Sequence, residues 1–228
     1  MSYHLIIGDY AYSSWSLRGW LLFEKFGIAR RETLLDFSDE AGVGAQMAQH
    51  APARTVPTVV TEDGIAVSDS LAIAEELASR HPEAGFWPSD PKCRAVARTL
   101  AAEMHSGFGD LRGDCPMNLR TAYADSNPSE GVLADVTRLE TICAWARETC
   151  GSEGPWLCGD YGAVDAFFAP VAARLAGYSL PMSEMAQAYV SAHLTDAAFQ
   201  KWRALGLAQG ATLPWYKKDY PVKDWPES

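Results

Sequence analysis

The sequence predicts an α/β domain at the N-terminus and an all-helical domain after it. Short apolar runs alternate with helical patterns through the first 80 residues, and Glu62-Asp63-Gly64 is a tight hairpin signal between two of those runs. Long segments with helical spacing fill the chain after residue 90. The 228 residues, 48% of them hydrophobic, suffice for two small domains with packed cores.

The first half of the N-terminal domain should contain two strands and two helices. Residues 4–8 form an apolar run that ends at a glycine, which predicts a buried strand. Apolar side chains then recur at helical spacing before Gly27, so we expect a helix over 15–26. A second strand is predicted at 31–35, and a weak helix, softened by two glycines, at 40–49.

The second half of this domain adds a hairpin and a third helix. Strands are predicted at 58–61 and 65–67, with a helix at 69–79, so the element order is β-α-β-α-β-β-α. Because a helix joins the first two strands and a tight turn joins the last two, the sheet should contain both a parallel and an antiparallel pair. That mixed order is the thioredoxin-like arrangement, and we expect it over residues 1–80.

A proline-bearing linker is predicted at 81–91, and an all-α domain at 92–228. Apolar residues recur at helical spacing in several parts of this second domain, and no strand is expected there. The helical candidates, three long and one short, are 92–111, 130–150, 163–177 and 195–205.

Charge and composition argue against several function classes. A net charge of −10 and an isoelectric point near 4.9 disfavour nucleic acid and anionic membranes as partners. No signal peptide or membrane-spanning run is recognisable. Five cysteines, without a Cys-x-x-Cys pair, predict free thiols in a reducing cytoplasm. Five scattered histidines lack the spacing of metal ligands, so no metal is expected.

The first candidate for chemistry is Ser13-Ser14-Trp15-Ser16, which follows the first strand and opens the first helix. A helix N-terminus presents unpaired N–H groups and a partial positive charge, and both favour an anion. A thiolate placed there is stabilised, and a serine hydroxyl can donate a further hydrogen bond to it. The alternative interpretation is that Ser13 or Ser14 only caps the helix.

Two further candidates lie on either side of the hairpin. A cis Val56–Pro57 bond before the third strand would turn the Val56 backbone outward to a peptide-like ligand, whereas a trans bond would be an ordinary strand start. Asp69-Ser70 opens the third helix, where Ser70 can bind a carboxylate and Asp69 an ammonium group. The alternative is again a simple helix cap.

Taken in their order along the chain, these three signals resemble the glutathione site of the cytosolic glutathione transferases. The resemblance extends along the whole chain, and Ser13-Ser14-Trp15-Ser16-Leu17-Arg18 is most similar to the serine-type, zeta (maleylacetoacetate isomerase-like) branch. It implies the glutathione transferase fold, glutathione as co-substrate, and a homodimer. The implied activity is attack of the glutathione thiolate on a small electrophile, in detoxification.

The resemblance also implies roles for individual residues. Ser13 matches the serine that activates the thiolate, and Ser14 matches its auxiliary neighbour. Val56, before Pro57, matches the residue that pairs with the cysteinyl backbone of glutathione. Arg54 lies where relatives often have a polar or basic residue that contacts glutathione. Asp69 and Ser70 match the pair that binds the γ-glutamyl group.

The sequence leaves alternative activities open. Zeta members usually carry a cysteine where this chain has Trp15, so we place conjugation first and a glutathione-dependent isomerisation of the maleylacetoacetate type second. Tyr10 and Tyr12 are close to the serines and leave a tyrosine-type activation open. A non-catalytic interaction protein is a further alternative, whereas a thiol oxidoreductase needs a cysteine near residue 13, where none exists.

The second substrate should bind beside the glutathione site, partly on a stretch that resembles a bacterial subgroup of the family. The candidate residues are Tyr12, Trp15, Met104, His105, Phe108, Arg112 and Arg120. The basic members predict recognition of a carboxylate or another anion, since a charge-assisted hydrogen bond contributes roughly 1.5–3 kcal/mol. The apolar members, with Met117, predict a hydrophobic pocket instead, and a solvated helix face is the alternative for the basic ones.

Overall fold

A four-stranded sheet forms the centre of the N-terminal half. The computed structural model describes residues 3–209 and 212–226. The strands of the sheet are β1 (Tyr3–Ile7), β2 (Arg30–Leu34), β3 (Thr58–Val60) and β4 (Ala66–Ser68). Their spatial order is β2-β1-β3-β4; β1 runs parallel to β2 and antiparallel to β3, and β3 and β4 form an antiparallel hairpin. The thioredoxin-like arrangement predicted from the sequence is confirmed.

Local sequence explains this pairing. Helix α1 (Ser14–Glu24) connects β1 to β2. This crossover allows the two strands to lie parallel, since parallel neighbours cannot be joined by a tight turn. The turn between β3 and β4 contains Gly64 at φ 84°, a left-handed conformation that glycine adopts without steric cost. All five residues of β1 are buried, as expected for a central strand whose two faces are covered.

Two more helices complete this half. They are the short α2 (Gly42–Gln46), followed by a 3₁₀ turn at Ala48–His50, and α3 (Ser70–Arg80). Helix α3 packs against α1, β3 and β4. The chain then passes through a second 3₁₀ turn, Pro82–Ala84, within the proline-bearing segment that precedes the helical half.

The C-terminal half is helical. Within the described residues its helices are α4 (Pro91–Ser106), α5 (Gly109–Asp114), α6 (Glu130–Cys150), α7 (Ala163–Gly177), α8 (Glu184–Thr195) and α9 (Ala197–Ala208). The bounds of α6 and α7 agree with those predicted from apolar spacing. Across residues 3–209 and 212–226, no helix combines the length and the apolar character needed to cross a membrane.

Helix α7 is the central element of this half. Every one of its residues is buried, because α1, α4 and α8 all pack against it. Its first turn is held by the Asp165 carboxylate, which accepts hydrogen bonds from the Gly162 N–H (2.9 Å), the Leu157 N–H (3.2 Å) and the Tyr189 hydroxyl (2.9 Å). Burial raises the pKa of Asp165 to about 6. The helix is therefore a fixed support for the side chains that it presents to α1.

The structure corrects the predicted helical half in three places. The helix predicted at 92–111 is broken, since α4 ends at Ser106 and Phe108 adopts a left-handed backbone (φ 58°) before α5 begins. Helix α8 was not predicted. Two short strands, β5 (Ala122–Tyr123) and β6 (Val222–Lys223), form an antiparallel pair where only helices were expected. Two-residue strands carry no periodic signal, so only long-range pairing reveals them.

The C-terminal tail runs back across the molecule. Strand β6 attaches it to β5, and Leu213 packs against Ala11 and Tyr12. The ring of Tyr216 stacks on that of Tyr12, with 4.7 Å between the centroids. The tail therefore places the Tyr216 side chain close to the N-terminus of α1.

Candidate active site

Two adjoining cavities open between the sheet-containing half and the helical half. We call them the Ser70 cavity, of about 420 Å³, and the Arg174 cavity, of about 260 Å³. The Ser70 cavity is lined by Trp15, Val43, Arg54, Thr55, Val56, Pro57, Asp69, Ser70 and His105. The Arg174 cavity is lined by Tyr12, Ser13, Ser14, Trp15, Phe37, Val56, Arg112, Pro116, Met117, Arg174 and Tyr216. Trp15 and Val56 belong to both, so the two cavities are parts of one cleft.

The N-terminus of α3 forms one wall of the Ser70 cavity. Asp69 caps the helix in a left-handed conformation (φ 83°), and its carboxylate accepts from the Leu71 N–H at 2.8 Å. The same carboxylate lies 3.1 Å from Nε2 of His105, which belongs to α4. Ser70 is fully buried, and its hydroxyl has no hydrogen-bond partner among the described residues. A buried hydroxyl at a cavity wall is therefore left for a ligand to satisfy.

The approach to β3 forms a second wall. The Val56–Pro57 peptide bond is cis, which confirms the prediction made from the sequence; Ala51–Pro52 is cis as well. Pairing of β3 with β1 begins at Thr58, opposite Ile6, so the half-buried Val56 lies outside the ladder. Its backbone N–H and C=O can therefore pair with a peptide-like ligand. Arg54 lies on the exposed edge of the same cavity.

The two serines at the start of α1 have different partners. Ser13 is the N-cap: its hydroxyl accepts from the Ser16 N–H at 3.2 Å and donates to the Ser16 hydroxyl at 2.8 Å. Ser14 is half-buried, and its hydroxyl oxygen accepts from Nη2 of Arg174 at 3.2 Å. The capping alternative thus describes Ser13 correctly. The Ser14 hydroxyl, which acts only as an acceptor here, keeps its own proton for a ligand.

A buried arginine supports Ser14 from behind. Arg174 of α7 is 4% exposed and also donates to the carbonyls of Cys115 (2.9 Å) and Pro170 (3.2 Å). Burial, with help from the neighbouring Arg112, lowers the pKa of Arg174 to about 10, so it remains charged at neutral pH. Arg174 is absent from the residues predicted for the site. A charged residue inside the mostly apolar 163–177 run was the signal that could have identified it.

Two more guanidinium groups lie beside Trp15. Arg18 is 4.5 Å and Arg112 is 4.8 Å from the centre of the Trp15 ring, at cation–π distance. Arg18 is buried with one long hydrogen bond, to the Met104 carbonyl at 3.4 Å, and burial lowers its pKa to about 9. Among the described residues, neither these arginines nor Arg174 forms an ion pair with a carboxylate. The part of the cleft around Trp15 therefore has an excess of positive charge in an acidic protein.

Tyr10 and Tyr12, the two tyrosines near the serines, have different surroundings in the structure. The Tyr10 hydroxyl donates to Glu32 at 3.2 Å, and burial with this carboxylate raises the pKa of Tyr10 to about 12. Tyr12 lines the Arg174 cavity beneath Tyr216, and burial raises its pKa as well. Of the two, only Tyr12 is positioned beside the candidate thiol site, as a neutral phenol.

The remaining candidates for the second substrate are divided between cleft and core. Trp15, His105 and Arg112 line the cleft. Met104 and Phe108 are buried in the hydrophobic core. Arg120 is close enough to Asp9 and Tyr12 for its charge to act on their pKa values. None of these three residues lines either cavity. Phe108 lies in the break between α4 and α5, which changes its direction relative to a continuous helix, whereas Met104 precedes the break and Arg120 follows α5.

Comparisons with known proteins give a family for the N-terminal domain. The model of the family "Glutathione S-transferase, N-terminal domain" matches residues 12–80. A probable maleylacetoacetate isomerase of Caenorhabditis elegans is 43% identical over 60 residues, which are 26% of this chain and 28% of that protein. The match thus spans little more than a quarter of that relative.

Solved structures extend the similarity to nearly the whole chain. A glutathione transferase homolog from Burkholderia gl BGR1, with bound glutathione, has a TM-score of 0.68 at 21% identity and covers 91% of this chain and 100% of its own. Glutathione transferase Omega 2S from Trametes versicolor has a TM-score of 0.69 at 19% identity, over 95% and 99%. At such identities the likeness shows the fold.

These comparisons give the fold of the chain and the family of one domain. Residues 12–80 match the glutathione S-transferase N-terminal domain, and the chain has the glutathione transferase fold. A segment of 60 residues is similar to part of a probable maleylacetoacetate isomerase.

Proposed function

We propose that the protein is an enzyme, a glutathione transferase, that binds glutathione in the Ser70 cavity and presents its thiolate at the N-terminus of α1. The observation that carries the proposal is the buried, unpartnered Ser70 hydroxyl beside the Asp69 carboxylate. Together they complement a group with a carboxylate and an ammonium on one carbon, which is the γ-glutamyl end of glutathione. The Val56 backbone in the same cavity suits the peptide portion.

Each part of glutathione then has a complementary partner. The γ-glutamyl carboxylate accepts from the Ser70 hydroxyl at the positive end of α3, and the ammonium pairs with Asp69. The cysteinyl backbone pairs with the N–H and C=O of Val56. Arg54, at the exposed edge, is available to the glycyl carboxylate. This arrangement directs the cysteine sulfur along the cleft toward α1.

The thiolate is stabilised at the start of α1. A free thiol has a pKa of about 8.5. To lower that pKa by one unit, the site must favour the thiolate over the thiol by about 1.4 kcal/mol. We assign the donated hydrogen bond to Ser14, because Ser13 already donates to Ser16. Arg174, behind Ser14, adds a positive charge that also favours the anion. Ser13 then acts by capping the helix whose N-terminus forms the site.

The second substrate is an anionic electrophile in our proposal. Arg112 and Arg174 line the Arg174 cavity, and neither has a carboxylate partner among the described residues. A negatively charged protein repels anions at long range, so local cations must offset that repulsion. The competing view, an apolar electrophile held by Met117 and Tyr216, remains the second candidate. Isomerisation of the maleylacetoacetate type is an alternative reaction for the same cleft, and the printed name of the C. elegans relative supports it.

A binding experiment tests the glutathione assignment. Ser70→Ala should weaken glutathione binding about tenfold by calorimetry, since a hydrogen bond to a charged group is lost. Because the Ser70 hydroxyl has no partner within residues 3–209 and 212–226, the variant should unfold at the same temperature as the wild type or higher. Ser79→Ala, on the exposed part of the same helix, is the matched control and should bind normally. Unchanged affinity of Ser70→Ala would contradict the proposal.

Assembly and location follow as further proposals. We propose a homodimer, as the family resemblance implies, in the cytoplasm, with a role in detoxification. Light scattering at micromolar concentration checks the first: a mass of 24.8 kDa, that of one chain, would contradict it.

A further inference from the structure

A third cavity lies beside the segment that joins α3 to α4. This groove, of about 710 Å³, shares no lining residue with the Ser70 and Arg174 cavities. Three of the five cysteines line it: Cys93, Cys150 and Cys158. The glutathione-binding cleft does not involve them, so their convergence calls for a separate explanation.

The three thiols come from distant parts of the chain. Cys93 lies in the first turn of α4, Cys150 is the last residue of α6, and Cys158 lies in the loop before α7. Cys150 is close enough to Cys93 and to Cys158 to influence the pKa of each thiol. Cys150 is thus the central member of the cluster. Cys115 and Cys143 are buried and do not line the groove.

The environment assigns different roles to the three sulfurs. The interaction with Cys150, together with burial and the nearby Asp90, raises the pKa of the Cys93 thiol to about 12. Burial and the interaction with Cys150 raise the pKa of the Cys158 thiol. Both thiols therefore hold their protons more tightly than a free cysteine does. Because Cys150 is the neighbour of both, we assign the first attack to Cys150. Cys93 and Cys150 are half-buried and face the groove, whereas Cys158 is only 8% exposed.

We propose that Cys150 and Cys93 form a thiol–disulfide exchange site that reacts with low-molecular-weight disulfides entering this groove, with Cys158 as the reserve partner. The Cys150 thiolate attacks one sulfur of the small disulfide, and one small thiol leaves. The Cys93 sulfur then attacks Cys150 and releases the second small thiol. Two protein thiols are oxidised to one disulfide, one small disulfide is reduced to two thiols, and the two protons of the protein thiols pass to the products.

The site differs from the proposed transferase activity in chemistry and in place. No residue of the groove lines the glutathione cleft, so either proposal can fail without the other. The reaction should be slow at neutral pH and become faster as pH rises, because Cys93 must lose a tightly held proton before it attacks. The product joins the first turn of α4 to the end of α6.

The experiment is oxidation of the full-length folded protein with glutathione disulfide at mildly alkaline pH, followed by alkylation and mass spectrometry. The wild type should go from five free thiols to three, lose two hydrogen atoms in mass, and yield a peptide pair linked through Cys93 and Cys150. A thiol reductant should restore all five. Five free thiols after oxidation, or glutathione retained on Cys150 as the final product, would overturn the proposal.

Variants separate the three cysteines. Cys150→Ser should abolish the intramolecular disulfide, and Cys93→Ser should divert it to Cys150–Cys158 at a lower rate. Cys115→Ser, a buried cysteine outside the groove, is the matched control and should still form the Cys93–Cys150 link. If Cys150→Ser retains a disulfide within the cluster, Cys150 is not the nucleophile. Peptide mapping of the wild type decides the main claim even if a variant folds poorly.

Discussion

The N-termini of α1 and α3 open onto the same cleft, yet their surroundings have opposite charge. At α1, the Ser14 hydroxyl is backed by Arg174, and Arg112 lies nearby over Trp15. At α3, the exposed carboxylate of Asp69 lies directly at the helix cap. Both helix ends offer the same N–H groups and partial positive charge. In the proposed function, the side chains added to each end select the ligand group: a bare anion at α1, and an anion with an attached cation at α3.

The two ends also differ in how they use a buried serine. Ser13 at α1 is 5% exposed and takes part in two hydrogen bonds with Ser16. Ser70 at α3 is fully buried and has no partner among the described residues. The first serine stabilises the helix, and the second is available to a ligand. Both serines lie at the start of a helix in the sequence, so their position in the sequence does not distinguish the helix cap from the serine that is available to a ligand.

The largest expected effect tests the serine at α1. Ser14→Ala should raise the pKa of bound glutathione by about one to two units, because one charge-assisted hydrogen bond is worth roughly 1.5–3 kcal/mol. The rate at pH 7 should fall about 10- to 100-fold and recover as pH rises. Ultraviolet titration of the bound thiolate and a pH–rate profile measure both. An unchanged profile in Ser14→Ala, with a shifted one in Ser13→Ala, would reverse our assignment.

The next effect tests the positive charge around α1. Arg112→Met should lower kcat/KM for a carboxylated electrophile about tenfold, as expected for loss of one charge-assisted hydrogen bond from a half-buried group. The methyl ester of the same electrophile should react with the variant as it does with the wild type. Arg120→Met is the matched control, since Arg120 lines neither cavity. A wild-type preference for the ester that persists in Arg112→Met would refute the anion hypothesis.

A smaller effect tests the negative charge at α3. Asp69→Asn should raise the KM for glutathione roughly fivefold, since an exposed ion pair contributes up to about 1 kcal/mol. The pKa of bound glutathione should stay at its wild-type value, because Asp69 acts on the ammonium end. Glutathione lacking the α-amino group provides the check: its KM should be equal for wild type and variant. A changed thiol pKa would show that the two helix ends are not independent.

The smallest effect concerns the cap. Ser13→Ala should lower the free energy of unfolding by about 1 kcal/mol, the usual cost of an N-cap serine. Denaturant titration measures this, and the slope of the transition should not change. Ser14→Ala removes an acceptor of the buried Arg174 guanidinium and no helix cap, so any loss of stability in that variant reports the loss of this hydrogen bond. Equal stability of Ser13→Ala and wild type would mean that the cap contributes little, and the serine would again be a candidate donor to the thiolate.

Strong local patterns predicted much of the fold. Helices α6 and α7 follow from apolar spacing, and the β3–β4 hairpin follows from Glu62-Asp63-Gly64. The break between α4 and α5 was not predicted, because helical spacing continues across Gly107 and Phe108. The β5–β6 pair joins residues about a hundred positions apart, and no window of sequence contains both strands.

The sequence alone determined the thioredoxin-like order and the three segments that meet at the proposed glutathione site, because strand, turn and helix-start signals are local and each lies within a few residues. Only the tertiary structure decided which hydroxyl is committed and which is available, and that Arg174 lies behind Ser14. Those facts depend on contacts between residues as far apart as 14 and 174. Burial and hydrogen-bond partners arise when distant elements pack, so they have no counterpart in local sequence pattern.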